Sequence, residues 1–498
     1  MTETFKPTHR LSKSTFMRGM QCPKSLWLYR HAYELQDETS AAQEAVFAQG
    51  SSVGRLAWGL FPGGVDLSPD YVDGVPRFAG ALRRTDEAIR GGAKVLYEAA
   101  FVHEGVLAAV DLLVRDGARW RVIEVKSGTS VKDTYAEDAA LQHWVLCGAG
   151  LDLADVSIAH IDNQYVRRGD IDVHALLKIE SVRDRAVARR EEIGREVARL
   201  LGVLDLEAAP ELPIGPHCST PYTCSFTGHC WAHVPERSVF ELTRIGATAW
   251  ELFERGVTRV AEIPDDVPLN AAQRIEVACA RSGEPHVDKA VLRSFLRKLD
   301  GPLLFLDFET VGPAVPLYDG TRPYQAIPFQ YSLHRRESRD GALTHTAFLG
   351  DGKNDPRPAL ADQLLADTAG DAPILMYSSY ERRILKELAV ALPRRAAEIE
   401  SRIARLVDLI APFRKHAYYT ADMRGSSSIK NVLPALVPDL SYGGLEIADG
   451  GTANSAYESL HYDPDPARVA KIRGALLDYC QLDTLAMVRV LEVLERVS

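Results

Sequence analysis

The chain has 498 residues, of which 46% are apolar and 25% charged, and a formal net charge of −10. This is the composition of an ordinary globular soluble protein, and the length allows about three domains. Because no run approaches the ~18 apolar residues of a membrane span and the first residues lack the apolar core of a signal peptide, we expect a cytoplasmic protein without a membrane partner.

The first half of the chain is predicted to alternate between helices and strands. A Ser/Thr-capped helix begins near residue 11 and is interrupted at Cys22-Pro23. An Asp116-Gly117 turn signal predicts a β-hairpin. The other predicted elements are helices at 40–60, 77–91 and 137–146, hairpin strands at 107–114 and 120–126, a strand at 157–164 and a long helical stretch at 173–204.

Each strand of the predicted hairpin carries a carboxylate, and a lysine accompanies the second one. Asp111 lies in an otherwise apolar run, and Glu124 and Lys126 share one face of the next strand. Two carboxylates can hold Mg²⁺, and a lysine can orient a water or stabilise charge on a phosphate. A cross-strand salt bridge is the structural alternative.

The hairpin and the helix after it resemble the core of the PD-(D/E)xK nucleases, in their RecB-type branch. The resemblance implies that Asp111 and Glu124 hold Mg²⁺ or Mn²⁺, that Lys126 is catalytic, and that Gln142 is the glutamine of the following helix. The chain departs from that family at Leu146, where a tyrosine is usual, and within residues 49–54, where a histidine is usual. We therefore expect one metal site to be weaker than in the family.

Cysteine spacing gives a second signal. Cys218, Cys224 and Cys230 are separated by five residues in each gap. Reduced thiols in a cytosolic protein favour metal or cluster ligation over disulfides, and Cys22 is the candidate for a fourth ligand. The remaining cysteines lie in apolar helical contexts and are expected to be core thiols: Cys147, Cys279 and Cys480.

Zinc sites favour closely spaced cysteine pairs, whereas widely spaced thiolates favour an iron–sulfur cluster. The arrangement resembles the iron–sulfur clasp of AddB-type and CRISPR-adaptation nucleases, in which one N-terminal cysteine joins three that follow the nuclease core. By this resemblance, Cys22, Cys218, Cys224 and Cys230 hold a [4Fe–4S] cluster. Zinc is the less favoured alternative.

Residues 239–299 are predicted to form short helices. Gly246 and Gly256 between these helices weakly resemble a helix-hairpin-helix DNA-binding fragment, and a plain connector bundle explains them at least as well. We therefore expect a helical connector at residues 237–300.

A second candidate site begins where an apolar strand-like run ends in Asp307-Phe-Glu309. Both carboxylates point to one side of a strand, where they can hold two metal ions. A second apolar strand from Ile374 is expected to end at Glu381. Near the end of the chain, Tyr479 and Asp483 lie four residues apart on one helical face.

This set resembles the DEDD exonucleases, in their tyrosine subtype, on an RNase H-like fold. The resemblance implies that Asp307, Glu309 and Asp483 hold metals, that Glu381 is the remaining acid, and that Tyr479 orients the attacking water. The chain departs from the family at Glu381, where aspartate is usual. Asp408 is a candidate for an outer-shell role, and residues 426–430 contact substrate phosphates or form a solvated loop.

The stretches at residues 323–334 and 429–436 look typical of a bacterial family described as predicted RecB-family nucleases, in which these two nuclease modules are fused, and nearly the whole chain resembles that family. We therefore expect an α/β protein with three parts. They are a PD-(D/E)xK restriction-endonuclease-like domain with the four-cysteine cluster at 1–236, the helical connector at 237–300, and an RNase H-like DEDD exonuclease domain at 301–498.

The expected activity is metal-dependent hydrolysis of nucleic acid, with DNA favoured over RNA, in repair, processing or defence. The acidic net charge weighs against a nucleic-acid partner, but bound cations and a local basic groove can supply the attraction. Two alternatives stay open: a nucleic-acid-binding protein with one active nuclease site, and a redox-responsive sensor of DNA damage.

Overall fold

The chain forms two compact units in the structure, a computed structural model that describes residues 9–498. The first unit consists of Met1–Ala232 and Pro313–Tyr324, and the second of His233–Gly312 and Gln325–Ser498. Residues 237–300, expected as a separate connector, belong to the second unit. Both units combine helices with mixed sheets, which confirms the α/β class.

The first unit contains nine strands and nine helices among its described residues. In chain order they are β1 (Leu11–Ser12), α1 (Lys13–Gln21), α2 (Pro23–His31), α3 (Ala41–Ala57), β2 (Val65–Asp66), β3 (Asp70–Val72), β4 (Val75–Arg77), α4 (Phe78–Arg90), β5 (Val95–His103), β6 (Val106–Asp116), β7 (Arg119–Lys126), α5 (Asp133–Gly148), β8 (Leu153–Ile161), α6 (Val173–Leu176), β9 (Leu177–Ser181), α7 (Arg183–Ala188), α8 (Arg190–Leu204) and α9 (Thr227–Cys230).

Its main sheet has the order β2-β5-β6-β7-β8-β9, and β1 pairs in parallel with β6. The predicted hairpin is β6 and β7, with Gly117 at a positive φ of 59° in the turn. The neighbouring strands β7 and β8 are parallel, so the chain crosses over between them through α5. That crossover lays α5 against one face of the sheet.

The two faces of β7 belong to different cores. Trp120 and Val122 pack with Leu141 and Val145 of α5, whereas Ile123 packs on the other face with Val53 of α3. Because side chains alternate along a strand, Glu124 and Lys126 share the α5 face with Trp120 and Val122. The predicted common face is therefore confirmed.

Two parts of the first unit differ from the sequence-based expectation. Strand β5, which pairs antiparallel with β6, was not predicted. The predicted helical stretch at 173–204 was wrong in its first part, because β9 interrupts it and pairs antiparallel with β8. Leu177 is buried and Lys178 exposed, a strand-like alternation that the longer helical pattern concealed.

The second unit contains seven strands and ten helices. They are α10 (Ala247–Glu254), α11 (Ala271–Ser282), β10 (His286–Val287), α12 (Lys289–Leu296), β11 (Leu303–Val311), β12 (Ile327–Arg336), β13 (Leu343–Leu349), α13 (Arg357–Asp367), β14 (Ile374–Met376), α14 (Tyr380–Ala391), α15 (Ala396–Ile403), β15 (Leu406–Asp408), α16 (Ala411–Arg414), β16 (Tyr418–Tyr419), α17 (Ile429–Leu436), α18 (Gly450–Leu460) and α19 (Pro466–Val497).

A five-stranded sheet in the order β13-β12-β11-β14-β15 forms the centre of this unit. Strand β11 pairs antiparallel with β12 and parallel with β14, which in turn is parallel to β15. Helices cover both faces: Phe305 packs with Met487 and Leu491 of α19, and Leu306 packs with Leu360 of α13 on the opposite side. The central strand is therefore buried on both faces, as its apolar sequence predicts.

The position of Glu381 differs from the expectation. Strand β14 ends at Met376, and Glu381 lies in the first turn of α14 rather than at the end of the strand. A carboxylate in the first helical turn is favoured by the helix dipole. Among residues 9–498, no helix combines the length and the apolar character needed to cross a membrane.

Candidate functional site

In the first unit, Asp111 and Glu124 emerge where the β6–β7 ladder ends. Leu112 and Ile123 form the last pair of this ladder. Asp111 directly precedes Leu112 on β6, and Glu124 directly follows Ile123 on β7. The backbone N–H of Val125 donates to Asp111 Oδ2 at 2.6 Å. Burial and the nearby Glu124 carboxylate raise the pKa of Asp111 well above its ordinary value.

Glu124 is the centre of a charged hydrogen-bond network, although only 2% of its surface is exposed. Its Oε1 accepts from the ammonium groups of Lys13 at 2.5 Å and Lys126 at 2.7 Å, and its Oε2 accepts from Gln142 Nε2 at 2.5 Å. Burial alone would raise the pKa of Glu124, but the charges of Lys126 and Lys13 hold it below its ordinary value. The structure thus brings all four residues of the predicted set together.

Two members of this network were not predicted. Lys13, the first residue of α1, lies 111 positions from Glu124. Asp138 Oδ2 accepts from Lys126 Nζ at 2.5 Å and lies 3.5 Å from Lys13 Nζ, while its Oδ1 has no partner within the described residues. Asp138 and Gln142 are four residues apart on α5, a spacing that could have identified Asp138. No local pattern points to Lys13.

A third unpredicted acid, Glu98, lies on β5 between two ladder pairs that flank Asp111. The pairs are Tyr97 with Leu112 and Ala99 with Val110, and Glu98 itself has a positive φ of 56°. Burial, followed by the charge of Glu124, raises the pKa of Glu98. Strand β5 therefore adds a third carboxylate beside the predicted pair.

The two departures from the nuclease family lie on opposite faces of the sheet. Leu146 is fully buried in the core that α5 forms with the sheet, so it takes no part in the polar network. Residues 49–54 lie in α3, and a Cβ atom at Gly54 would meet no other atom within 4 Å. Neither position supplies a polar group to the site.

The four predicted cluster cysteines line one pocket of the first unit. Cys22, Cys218, Cys224 and Cys230 share this pocket with Ser25, Phe226 and Trp231. Burial and the neighbouring sulfur atoms of Cys224 and Cys218 raise the pKa of Cys22. Four thiols from distant parts of the sequence therefore line the same pocket.

Local hydrogen bonds hold the cysteine segments together. Cys22 is both the C-cap of α1 and the N-cap of α2, where its Sγ accepts from Ser25 N–H at 3.3 Å. Gln21 donates to the carbonyls of His217 and Tyr222, at 2.8 and 2.7 Å. The position of Cys22 relative to the other three cysteines is therefore fixed by the backbone as well as by the side chains.

In the second unit, three elements bring four carboxyl groups together beside β11. Asp307 and Glu309 lie two residues apart on that strand, and a register shift against β12 follows directly after Glu309. Glu381 comes from α14 and Asp483 from α19. The site lies towards the carboxyl end of β11, beside the point where the strand order of the sheet reverses between β11 and β14, the place at which open α/β sheets commonly bind ligands.

Burial raises the pKa of every carboxyl group in this set, and repulsion by neighbouring acids adds to the effect at Asp307, Glu309 and Glu381. The pKa of Glu309, which is 8% exposed, rises to about 8 through burial and the charge of Asp483. Burial raises the pKa of Glu381 to about 7 and that of Asp483 to about 6. Burial, Asp483 and Glu381 raise the pKa of Asp307 well above its usual range. Positive charge at this point would allow all four to ionise.

The aromatic and basic neighbours of Asp483 complete the site. Tyr442 OH donates to Asp483 Oδ1 at 2.6 Å, and the ring of Tyr442 lies 6.1 Å from that of Tyr479. Lys430, in α17, lowers the pKa of Glu309 and Asp483 against the larger effect of burial. Tyr479 lies on α19 one turn before Asp483, as its spacing predicted.

Cys480 is buried but is not simply a core thiol, which corrects the expectation for this residue. Its Sγ lies 3.9 Å from Asp307 Oδ2. Asp408, at the end of β15, accepts a hydrogen bond from the N–H of Ile410 at 3.1 Å. Burial is the main cause of the raised pKa of Glu381, hydrogen bonds lower this pKa, and the charge of Asp408 raises it further. Of residues 426–430, Lys430 places its charge close enough to Glu309 and Asp483 to lower their pKa values. The carbonyl of Ser427 accepts a hydrogen bond from Tyr377 OH at 2.9 Å.

Comparisons with known proteins give a family match to part of the chain and no activity. The family described as Domain of unknown function (DUF2779) matches residues 304–428. This segment contains Asp307, Glu309 and Glu381 and ends before Tyr479 and Asp483. A search of the curated proteins finds no match.

The raised pKa of Glu309 predicts a stability that falls as the pH rises. The folded chain keeps this proton up to about pH 8, whereas the unfolded chain releases it near the ordinary value of 4.5, so the unfolded chain binds fewer protons between these values. In metal-free buffer, the thermal denaturation midpoint of the second unit should decrease as the pH is raised from about 5 to about 8. Glu309→Gln should make this decrease smaller.

Glu337→Gln, at an exposed position on the same unit, is the matched control and should keep the wild-type slope. The measurement is thermal unfolding followed by circular dichroism across that pH range. A Glu309→Gln slope equal to that of the wild type would contradict the burial of this charge.

Proposed function

We propose that the protein is a metal-dependent nuclease with two active sites. The second unit would carry a DEDD-type 3′→5′ exonuclease site and the first a PD-(D/E)xK site. The observation that carries the proposal is the set of four carboxyl groups around β11, two of them buried and two half-buried, all with raised pKa values. Acids that repel one another in this way are typical of sites built for divalent cations.

The donor atoms of the second unit fit such cations. Ligand atoms of Asp307, Glu309 and Cys480 lie within 4.8 Å of one another. Glu381 Oε2 and Asp483 Oδ2 are buried and have no hydrogen-bond partner within the described residues. Asp307, Glu309, Glu381 and Asp483 would hold Mg²⁺ or Mn²⁺, which when bound activates a water and stabilises the leaving oxygen.

The other side chains of this unit have supporting roles in the proposed mechanism. Tyr479 presents its hydroxyl beside Asp483 and would orient the attacking water. Tyr442 fixes the Asp483 carboxylate through its 2.6 Å hydrogen bond. The positive charge of Lys430 lowers the pKa of Glu309, and this lysine would contact a substrate phosphate. The five-stranded mixed sheet, with helices on both faces, supports the RNase H-like assignment.

The first unit supports a PD-(D/E)xK site with one added feature. Asp111 and Glu124 would hold the cation, Lys126 would stabilise charge on the phosphate, and Gln142 orients Glu124 through its 2.5 Å hydrogen bond. Lys13, however, occupies Glu124 Oε1 together with Lys126. A cation can reach that oxygen only if at least one of the two ammonium groups moves away.

This double pairing favours a second candidate function for the first unit. Two lysines already supply the positive charge that Glu124 needs, so the unit can be stable as a nucleic-acid clamp without a catalytic cation. Under that alternative only the second unit cuts. The redox-sensor alternative rests on the cysteine pocket alone.

The cysteine pocket supports the proposed iron–sulfur cluster. Cys22, Cys218, Cys224 and Cys230 all line it, so four thiols converge on one space. A [4Fe–4S] cluster takes four thiolates, and the wide spacing of these cysteines in the sequence favours it over zinc, whose sites prefer closely spaced cysteine pairs.

The proposed substrate is nucleic acid, with DNA favoured over RNA. The chain as a whole is acidic, with a net charge of −10, so attraction for phosphates has to be local. Lys430 in the second unit and Lys13 and Lys126 in the first lie beside the catalytic acids. These lysines and the bound cations would supply that attraction.

The cluster assignment predicts that protein purified without oxygen is brown and contains iron. Serine at Cys22, Cys218, Cys224 or Cys230 should bleach the protein and lower the unfolding temperature of the first unit, because the cluster joins segments far apart in the chain. Cys147→Ser, outside the pocket in the same unit, should keep the colour and the iron. Stoichiometric zinc without iron would contradict this assignment.

The two proposed sites predict separable activities. Asp307→Asn should remove stepwise trimming from free 3′ ends, by at least about a hundredfold, because it removes a ligand that touches the cations. Glu124→Gln should leave this trimming intact and remove cuts made by the first unit. Tyr479→Phe should be milder than Asp307→Asn, since all four carboxylates remain.

These variants would be compared on end-labelled single and double strands of DNA and RNA, with free and blocked 3′ ends, in Mg²⁺ or Mn²⁺. Asp116→Asn on the hairpin and Glu337→Gln on the second unit are exposed-acid controls and should cut as the wild type does. If Asp307→Asn trims free 3′ ends at the wild-type rate, the second active site is wrong. Wild-type cutting by Glu124→Gln on every substrate would favour the clamp.

A further inference from the structure

Cys480 places a thiol inside the acidic site of the second unit. Cys480 follows Tyr479 on α19 and is fully buried. The sulfur lies 3.9 Å from Asp307 Oδ2, and ligand atoms of Asp307, Glu309 and Cys480 fall within 4.8 Å of one another. None of the roles assigned to the four carboxylates and Tyr479 uses this thiol.

An independent observation indicates that this space is built for a ligand. Glu381 is 3% exposed, and its Oε2 has no hydrogen-bond partner within the described residues. The carboxyl group of Glu381 lies close enough to Asp307 for its charge to raise the pKa of Asp307. A buried oxygen left unpaired costs free energy, and a cation coordinated by the cluster would recover it.

The second buried cysteine of this unit shows what a core thiol looks like. Cys279 is 3% exposed, and its Sγ points to the carbonyl of Tyr419 at 3.8 Å among apolar neighbours. Cys480 instead faces carboxylates, and burial followed by the charges of Asp307 and Glu309 raises its pKa well above the ordinary value. A protonated thiol gains little beside two acids, whereas a metal ion held between them would convert it into a thiolate ligand.

We propose that Cys480 is a direct ligand at the acidic site and that the site therefore selects a thiophilic divalent cation such as Zn²⁺ or Co²⁺ over Mg²⁺. The proposal rests on the proposed function of the second unit and specifies which cation that site prefers. Carboxylates alone suit Mg²⁺ and Mn²⁺, whereas thiolate ligands shift the preference towards softer ions.

The observed distance is close to what coordination requires. With Zn–S bonds of about 2.3 Å and Zn–O bonds of about 2.0 Å at a tetrahedral angle, the sulfur and oxygen ligands of one ion lie about 3.5 Å apart. The Sγ of Cys480 and Oδ2 of Asp307 are 3.9 Å apart, so a movement of a few tenths of an ångström is enough. Both atoms belong to long elements of the core, β11 and α19, which hold them in place.

The test is a titration of the full-length protein with Co²⁺, followed by difference absorption spectroscopy. Wild type should develop a sulfur-to-cobalt charge-transfer band, and Cys480→Ser and Asp307→Asn should lose it. Cys279→Ser, the matched buried thiol, and Cys224→Ser, in the cysteine pocket, should keep the band. Calorimetry should show that Cys480→Ser weakens Zn²⁺ binding at least about tenfold, while Mg²⁺ binding is unchanged.

Trimming of free 3′ ends is measured on the same samples. The role of Cys480 as a metal ligand and the exonuclease activity of the second unit can then be rejected independently. A wild-type protein that trims with Mg²⁺ or Mn²⁺ but gives no band would overturn the role of Cys480 and leave the exonuclease standing. A band that depends on Cys480 in a protein that cuts no strand with any cation would support the metal site and overturn the exonuclease. Cys480→Ala, checked by circular dichroism, replaces Cys480→Ser if the serine variant does not fold.

Discussion

Like charges cannot be buried side by side unless protons or cations accompany them, and the second unit is arranged around this constraint. Asp307 and Glu309 come from the central strand, Glu381 from α14 and Asp483 from α19. The helices that carry the last two acids also form the apolar layers on the two faces of the sheet. Packing therefore fixes the acids close together at a cost in free energy that bound cations would offset.

The first unit meets the same constraint in a different way. Its central carboxylate, Glu124, is neutralised by two lysines of the chain itself, and its pKa is lowered rather than raised. One of them, Lys13, begins α1, and Cys22 is the C-cap of that helix. A helix of about 14 Å thus connects the carboxylate site with the cysteine pocket. The two candidate functional features of this unit share one rigid element.

Sequence reasoning identified the residues whose neighbours lie nearby in the chain. Alternation along a strand located Asp307 with Glu309 and Glu124 with Lys126, and helical spacing joined Tyr479 to Asp483. The even spacing of three cysteines marked the pocket. For the strand and helix pairs, the spacing of residues along the chain is enough to predict which side chains lie together, because the secondary structure itself determines which of them share a face.

The residues that sequence reasoning missed depend on contacts over long separations. Lys13 reaches Glu124 only because β1 pairs with β6 and so anchors the start of α1 at the sheet. Glu98 becomes part of the site through an unpredicted strand, and Cys480 faces Asp307 because α19 crosses β11. Apolar neighbours in the sequence made Cys480 resemble a core residue, and only the tertiary fold distinguishes it from Cys279.

The central claim, that the four acids of the second unit form one cation site, is tested most directly by counting bound Mn²⁺. Electron paramagnetic resonance of free Mn²⁺ during a titration gives the number and affinity of bound ions for the wild type and for Glu381→Gln, Asp307→Asn and Glu337→Gln. The account predicts that the wild type and Glu337→Gln bind equal numbers of Mn²⁺ ions, and that the other two variants lose, or bind much more weakly, the ions held by the second unit. Equal Mn²⁺ binding by all four proteins would contradict it.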